Sequence, residues 1–307
     1  MYVVTGATGF IGAAVVRHLL SRGILVRALA RESSRLPGDL RANQGPGRLE
    51  IVEADLLRLD RLREVLSGAR RVIHCAGLAP AGPAPFQMPA HGAATHNLLL
   101  TCRAVDVDKV VIVSTLAAAL NPAPDAHSAA KAEQEQAASE FRRHGLNVTI
   151  IRSAPVFGPG GDSLVNRFAQ AVAAGGFYRG KLRGEPDRLI SCTYVSDLAK
   201  LLDKAAGSAT AGGVYPFASE TLRLSELAAR IERLARELGI ARGLWAWPAR
   251  FFGLRAPRLP VEWRKGLTVS EATIPGLDLV PADPEEAWRD TVQWLAGQAP
   301  ARGGWRC

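Results

Sequence analysis

Gly6, Gly9 and Gly12 stand at a spacing of three, directly after the uncharged run Tyr2–Thr5. That run is β-branched or aromatic throughout and reads as a short buried strand. An apolar-periodic stretch, 13–20, follows the glycines and stops near Gly23, so the opening reads as strand, tight turn and helix. Each glycine has a physical reason to be there. Gly6 permits the turn, Gly9 lets a pyrophosphate approach the backbone, and Gly12 lets the helix lie close on the strand. The free N–H groups and positive dipole end of such a helix hold phosphate. An ordinary strand-to-helix turn is the plainer reading, and the position directly after a strand favours a dinucleotide site. Thr8, Phe10 and Ile11 complete the candidate contacts of this turn.

The next strand, 24–30, runs into Arg31-Glu32-Ser33-Ser34-Arg35. An acidic residue here bonds an adenosine ribose, whereas arginine accommodates a 2′-phosphate. Arg31 and Arg35, with two serines as donors, favour NADP(H) over NAD(H), and Glu32 argues the other way. A punctuated loop, 37–47, precedes a third strand, Leu49–Glu53, which leads into Ala54-Asp55-Leu56 and a helix over 58–68. A fourth strand, 71–75, is followed by Ala76-Gly77, and the proline-rich stretch 79–90 reads as a loop over the cofactor. A helix over 93–105 precedes a fifth strand, 109–113, with Ser114 and Thr115 at its carboxyl end, where open parallel sheets bind ligands. Asp125 caps a helix running to Arg143, and 148–151 is a sixth strand. Strands alternating with helices imply right-handed crossovers and a Rossmann-type, doubly wound parallel α/β sheet.

Beyond that strand Pro155, Gly158, Pro159, Gly160 and Gly161 mark a change of character. The expected division is a nucleotide-binding core over 1–152 and a smaller, mainly substrate-binding lobe over 153–307, with some segments returning to the core. Helices are expected over 225–238 and 284–295.

At 307 residues, 48% apolar and 22% charged, the chain is long enough for a sizeable core and has a globular composition. Neither a signal peptide nor a membrane-spanning run is expected. Cys75, Cys102, Cys192 and Cys307 show no metal-type spacing, so a cytoplasmic protein with reduced thiols and no metal is expected. The net charge of +9 is carried largely by dispersed arginines, which reads as a solvated surface rather than a nucleic-acid footprint. One stretch, 244–266, interleaves Trp245, Trp247, Phe251, Phe252 and Trp263 with Arg242, Arg250, Arg255, Arg258, Arg264 and Lys265. It either packs the small lobe or covers an apolar ligand or an anionic membrane surface.

Taken together, these residues resemble the extended short-chain dehydrogenase/reductase family, which contains NAD(P)-dependent sugar epimerases, dehydratases and hydroxysteroid-type dehydrogenases. Thr5 to Gly12 resembles its glycine fingerprint, and Val72-Ile73-His74-Cys75-Ala76-Gly77 its cofactor-lining fourth strand. Arg152 to Gly160 is similar to its Arg…Tyr-Gly-Pro segment with Phe157 for Tyr, and Tyr194 to Ala199 to its Val-x-Asp-x-Ala segment. The resemblance implies an adenine contact at Asp55 and cofactor contacts at Leu56, Cys75, Ala76, Gly77, Lys131, Ser153 and Val156. It also implies a catalytic Tyr-x-x-x-Lys pair with a Ser or Thr at the end of the fifth strand. Here the matching segment is His127-Ser128-Ala129-Ala130-Lys131, so lysine is in place and His127 stands for tyrosine. Thr115, with Ser114 beside it, fits the hydroxyl position, and His91 stands where many relatives carry Asn.

An imidazole is a competent general acid or base at neutral pH, so His127 can take the phenol's part. Alternatively it is a polar residue on an exposed turn of a site that only binds. Three functions stay open: an NADP(H)-dependent oxidoreductase acting on a carbonyl or alcohol of a small metabolite, apolar ones among the candidates, an epimerase or dehydratase, and a non-catalytic nucleotide-binding scaffold or sensor. A homodimer is a candidate assembly.

Overall fold

The computed structural model describes residues 1–77, 88–173, 187–209, 212–240, 259–269, 277 and 279–298, with backbone alone over 88–91. The chain divides into two compact units. The first comprises Met1–Ala154, Ser196–Phe217 and Glu271–Val280, and the second Pro155–Val195, Ala218–Ser270 and Pro281–Cys307.

The first unit carries the parallel sheet. Its strands are β1 (Tyr2–Thr5), β2 (Val26–Ala30), β3 (Leu49–Glu53), β4 (Arg71–His74), β5 (Lys109–Thr115) and β6 (Val148–Ser153), with Val214–Phe217 at one edge. Their order across the sheet is β3-β2-β1-β4-β5-β6 and then that edge strand, all pairs parallel. The chain winds outward from β1 to β3 and then returns to place β4 on the other side of β1. The crevice beyond the carboxyl ends of β1 and β4 is therefore the topological switch point, where such sheets bind ligands. All seven residues of β5 are buried, as expected of a central strand covered on both faces. Its register sets Thr115 opposite Ser153.

Helices α1 (Phe10–Ser21), α2 (Gly38–Ala42), α3 (Leu59–Val65), α4 (Met88–Ala104) and α5 (Ala126–Arg143) connect these strands. α1 buries Val15, Val16, Leu19 and Leu20 at helical spacing. α4 begins five residues before the expected 93, and 78–87, most of the expected cofactor loop, lies outside the described residues. α5 starts where Asp125 accepts the backbone N–H of Ser128 at 2.8 Å, the capping bond its sequence suggests. The helix Val195–Gly207 is pinned to the start of the sheet through the buried Asp203. Its carboxylate accepts Tyr2 Oη at 3.3 Å, His18 Nε2 at 2.9 Å and the Arg22 guanidinium. Arg71 lies over the Tyr2 ring and donates to Ala206 O at 2.8 Å.

The second unit has a small sheet of Val156–Phe157, Leu189–Tyr194 and Glu220–Arg223. Its core is aromatic: Phe157 stacks on Trp288 at 3.8 Å, and Phe168 meets Trp263 edge-on at 5.5 Å. Trp263 is fully buried and gives its indole N–H to Ser191 O at 2.8 Å. The tryptophan at the end of the basic aromatic stretch is therefore a core residue, not a membrane anchor, while 244–258 lies outside the described residues. Among the described residues no helix is long and apolar enough to cross a membrane.

Candidate functional site

The turn after β1 is shaped by two contacts that allow no side chain. Gly6 has φ of +70°, and a Cβ on it would stand 2.6 Å from the backbone N of Ala76, so β1 and β4 close on each other at this point. A Cβ on Gly12 would stand 2.1 Å from Gly6 O. Gly9 differs. It is exposed with ordinary extended backbone, and a Cβ there would meet only Gly6 O, at 3.3 Å. Packing at position 9 is thus less demanding of glycine than at positions 6 and 12, with one tight backbone contact rather than a clash. No side chain caps α1, so no side chain takes up the N–H groups of its first turn, the kind of site that suits an anion. Thr8, Phe10 and Ile11 lie half-buried around this turn. These features fit a pyrophosphate.

At the end of β2, Arg31 is exposed and makes no ion pair with a described residue. Arg35 is held by Glu32 at 2.8 Å, and Ser33 gives both its N–H and its hydroxyl to Glu53, at 2.8 and 2.6 Å. Asp55 is exposed, with one carboxylate oxygen accepting Leu57 N–H at 3.0 Å, and Leu56 beside it is buried.

The end of β4 is braced from below. Thr5 Oγ1 lies 2.7 Å from His74 Nδ1, Thr95 Oγ1 lies 3.1 Å from His74 Nε2, and Ala76 N–H donates to Thr5 Oγ1 at 3.3 Å. Against this strand end lies Lys131, buried on α5. Its ammonium donates to Val113 O at 2.7 Å and to Gln134 Oε1 at 3.0 Å. Burial pulls its pKa down to about 8, with the Glu135 carboxylate acting to raise it. Burial likewise pushes the Cys75 thiol up to about 12, so that it stays protonated.

The two hydroxyls at the end of β5 have different surroundings. Ser114 Oγ donates to Glu135 Oε1 at 2.5 Å, and Glu135 is gripped by Arg152 of β6, the closest approach being 2.6 Å. Hydrogen bonding to Glu135 raises the Arg152 guanidinium further, against its partial burial. The Ser114 proton is thus committed to an internal ion pair, which separates this residue from the role expected for it. Thr115, the next residue, faces the opposite side of the strand. Ser153 gives its hydroxyl to Ala154 O at 2.7 Å. Val156 belongs to the second unit, and the side chain of His91 lies outside the described residues. His127 is half-buried one turn before Lys131 and on the same helix face.

Comparison with known proteins follows the same line. The model of the NAD dependent epimerase/dehydratase family matches residues 2–216. The chain belongs to that family. Cinnamoyl-CoA reductase 1 of Oryza sativa is 28% identical over 260 residues, 76% of this chain and 75% of that protein. The 2-alkyl-3-oxoalkanoate reductase of Shewanella oneidensis is 27% identical over 221 residues, 64% of this chain, and the match spans about half of that relative (54%). In fold, the UDP-glucose 4-epimerase of Thermus thermophilus, solved with NAD, superposes with a TM-score of 0.63 at 21% identity, covering 97% of this chain and 99% of that one. The epimerase/dehydratase family is one of NAD-dependent enzymes, and the doubly wound sheet is its architecture.

Gln134 and Glu135 are the polar residues of this site that local sequence reading passes over. The signal lies in their places three and four beyond Lys131, which stack them on the same helix face.

Proposed function

We propose that this chain is an NADP(H)-dependent reductase of the extended short-chain type, acting on a carbonyl or alcohol of a small metabolite. The observation that carries the reading is Lys131, a buried ammonium held against the end of β4 with His127 one turn before it. The glycine turn and the N-terminus of α1 would hold the pyrophosphate, Asp55 and Leu56 would line the adenine side, and Arg31 would meet a 2′-phosphate. Lys131 would hold the nicotinamide ribose. Bound in this way, a nicotinamide supplies or accepts hydride.

The chain's own part is the proton and the substrate oxygen. Thr115 Oγ1 would hydrogen-bond that oxygen, while Ser114 braces Glu135. His127 would give the oxygen a proton as the carbonyl becomes an alcohol, and take one in reverse. The names of the rice and Shewanella relatives, both reductases of substrates bearing a carbonyl, support reduction over sugar epimerisation.

The substitution at His127 also favours a second reading, nucleotide binding without turnover. A panel of aldehydes and ketones incubated with the protein and NADPH, with NADPH consumption as the readout, separates the two. Turnover of a carbonyl by the parent protein is expected. NADPH binding with no turnover in the parent, and turnover gained in His127→Tyr, would overturn the reductase reading in favour of the scaffold.

A further inference from the structure

Gln134 lies one turn beyond Lys131 on α5 and is 2% exposed. Its Oε1 accepts from Lys131 Nζ at 3.0 Å, while its Nε2 donates to Ala76 O at 3.3 Å. The orientation of the amide is forced by chemistry, because an ammonium offers no lone pair and a backbone carbonyl offers no proton. One buried side chain thus ties the ammonium to the strand end beside Gly77. The two acceptors named for Lys131 are this amide and Val113 O, which leaves one of its three N–H bonds for a ligand.

We propose that Gln134 is a positioning residue that holds the Lys131 ammonium against the end of β4, ready for the ribose hydroxyls of a nicotinamide nucleotide. The nucleotide half of this inference rests on the function proposed above; the Gln134–Lys131 half does not.

A buried ammonium is costly unless its donors are satisfied. The charged and titratable groups around it are few. Cys75 faces it from the end of β4 and stays a neutral thiol. Glu135 faces it from α5, but shares its charge with Arg152 of β6 and accepts the Ser114 hydroxyl of β5. His127 lies one turn back on the same helix. Of the two atoms that accept from Nζ, Val113 O belongs to the backbone, so Gln134 Oε1 is the contact a substitution can tune. Replacing it by an apolar side chain leaves the ammonium short of an acceptor, and the amine should give up its proton at lower pH. Replacing it by glutamate adds a negative charge at the same place and should hold the proton to higher pH.

The test begins without nucleotide. The full chain and its Gln134→Leu and Gln134→Glu variants are treated with an amine-acylating reagent across the neutral to alkaline range. Labelling of the peptide that carries Lys131 is then followed by mass spectrometry. The midpoint in the parent is expected at about 8, lower in Gln134→Leu by about one pH unit, a tenfold change in the proton equilibrium, and higher in Gln134→Glu. NADPH affinity over the same range should weaken through the same midpoints, earliest in Gln134→Leu and latest in Gln134→Glu. A Glu variant with the parental midpoint overturns the inference even if Gln134→Leu fails to fold. Shifted midpoints with parental NADPH profiles overturn the positioning role. Shifted midpoints in a protein that binds no NADPH at all leave the Gln134–Lys131 coupling standing and sink the nucleotide reading instead.

Discussion

The ammonium of Lys131 stands 3.1 Å from the point that a Cβ on Gly77 would occupy. The two residues come from different parts of the chain, the segment after β4 and α5. Gly77 follows the strand end fixed by Thr5 and His74, and Lys131 is tied at Val113 O and Gln134.

Gly77→Ala is therefore expected to fold normally and to displace the ammonium by a few tenths of an ångström. Affinity for NADPH should fall about tenfold, or about 1.4 kcal/mol, with little change in melting temperature. A fluorescence titration checks this, and parental affinity would mean that the ribose contact does not pass through this lysine.

Ser114 and Thr115 should separate cleanly by the kind of loss they cause. Ser114→Ala removes the hydroxyl donor to the buried Glu135 and should lower unfolding free energy by about 1–2 kcal/mol with turnover largely intact. Thr115→Val keeps the shape and should lower turnover about 100-fold, the scale of losing one donor to a reacting oxygen. Denaturant melts and steady-state rates on the same samples decide it.

His127→Ala should lower turnover by about 10²–10⁴-fold, the range for a lost general acid or base, with NADPH affinity nearly unchanged. His127→Tyr should move the pH profile of turnover upward, because a phenol ionises higher than an imidazole. A parental rate in His127→Ala would assign the proton to a bound water or to the substrate.

At the end of β2, Arg31 has no ion-pair partner among the described residues, whereas Glu32 occupies Arg35. NADPH should bind more tightly than NADH, and Arg31→Asp should reverse the order. Glu32→Gln releases Arg35 and should strengthen NADPH binding further while leaving NADH unaffected. Calorimetric titration with both nucleotides is the check, and equal parental affinities would remove the case for a 2′-phosphate site.

Asp203 makes the acid limb of stability predictable in sign. Burial pushes its carboxyl up, but hydrogen bonds from His18 and Arg22 outweigh this and hold it below the ordinary range. A carboxyl lowered by folding contributes stability above its unfolded pKa, about 3.9, and loses it as the pH falls through its lower folded value. Asp203→Asn should cost about 2–4 kcal/mol at neutral pH and flatten the decline in stability below about pH 4. Melts as a function of pH measure both, and an unchanged acid limb would show that other carboxylates set it.

Much of the fold could be read along the chain because its signals are local. The glycine spacing after Tyr2–Thr5, the alternation of strands and helices, and the cap at Asp125 each depend on residues within a turn or two of one another. The structure puts them where that local chemistry requires, with small shifts at ends such as β5, which extends through Thr115. Lys131 and His127 were visible through the family resemblance, as the pair matching its Tyr-x-x-x-Lys segment.

The direction of a side chain toward a partner far along the chain could not be read in this way. The two hydroxyls in Ser114-Thr115 look alike in sequence, and only the arrival of Glu135 and Arg152 separates them. Trp263 sits among arginines in the sequence and under Ser191 and Phe168 in the fold. Asp203 gathers Tyr2, His18 and Arg22 from about two hundred residues away. Local sequence determined the glycine turn, the alternation of strands and helices and the start of α5, because backbone conformation and helix periodicity are set by near neighbours. Tertiary packing alone decided which polar atoms are satisfied, because a buried donor or acceptor takes whatever partner the sheet and helices bring to it.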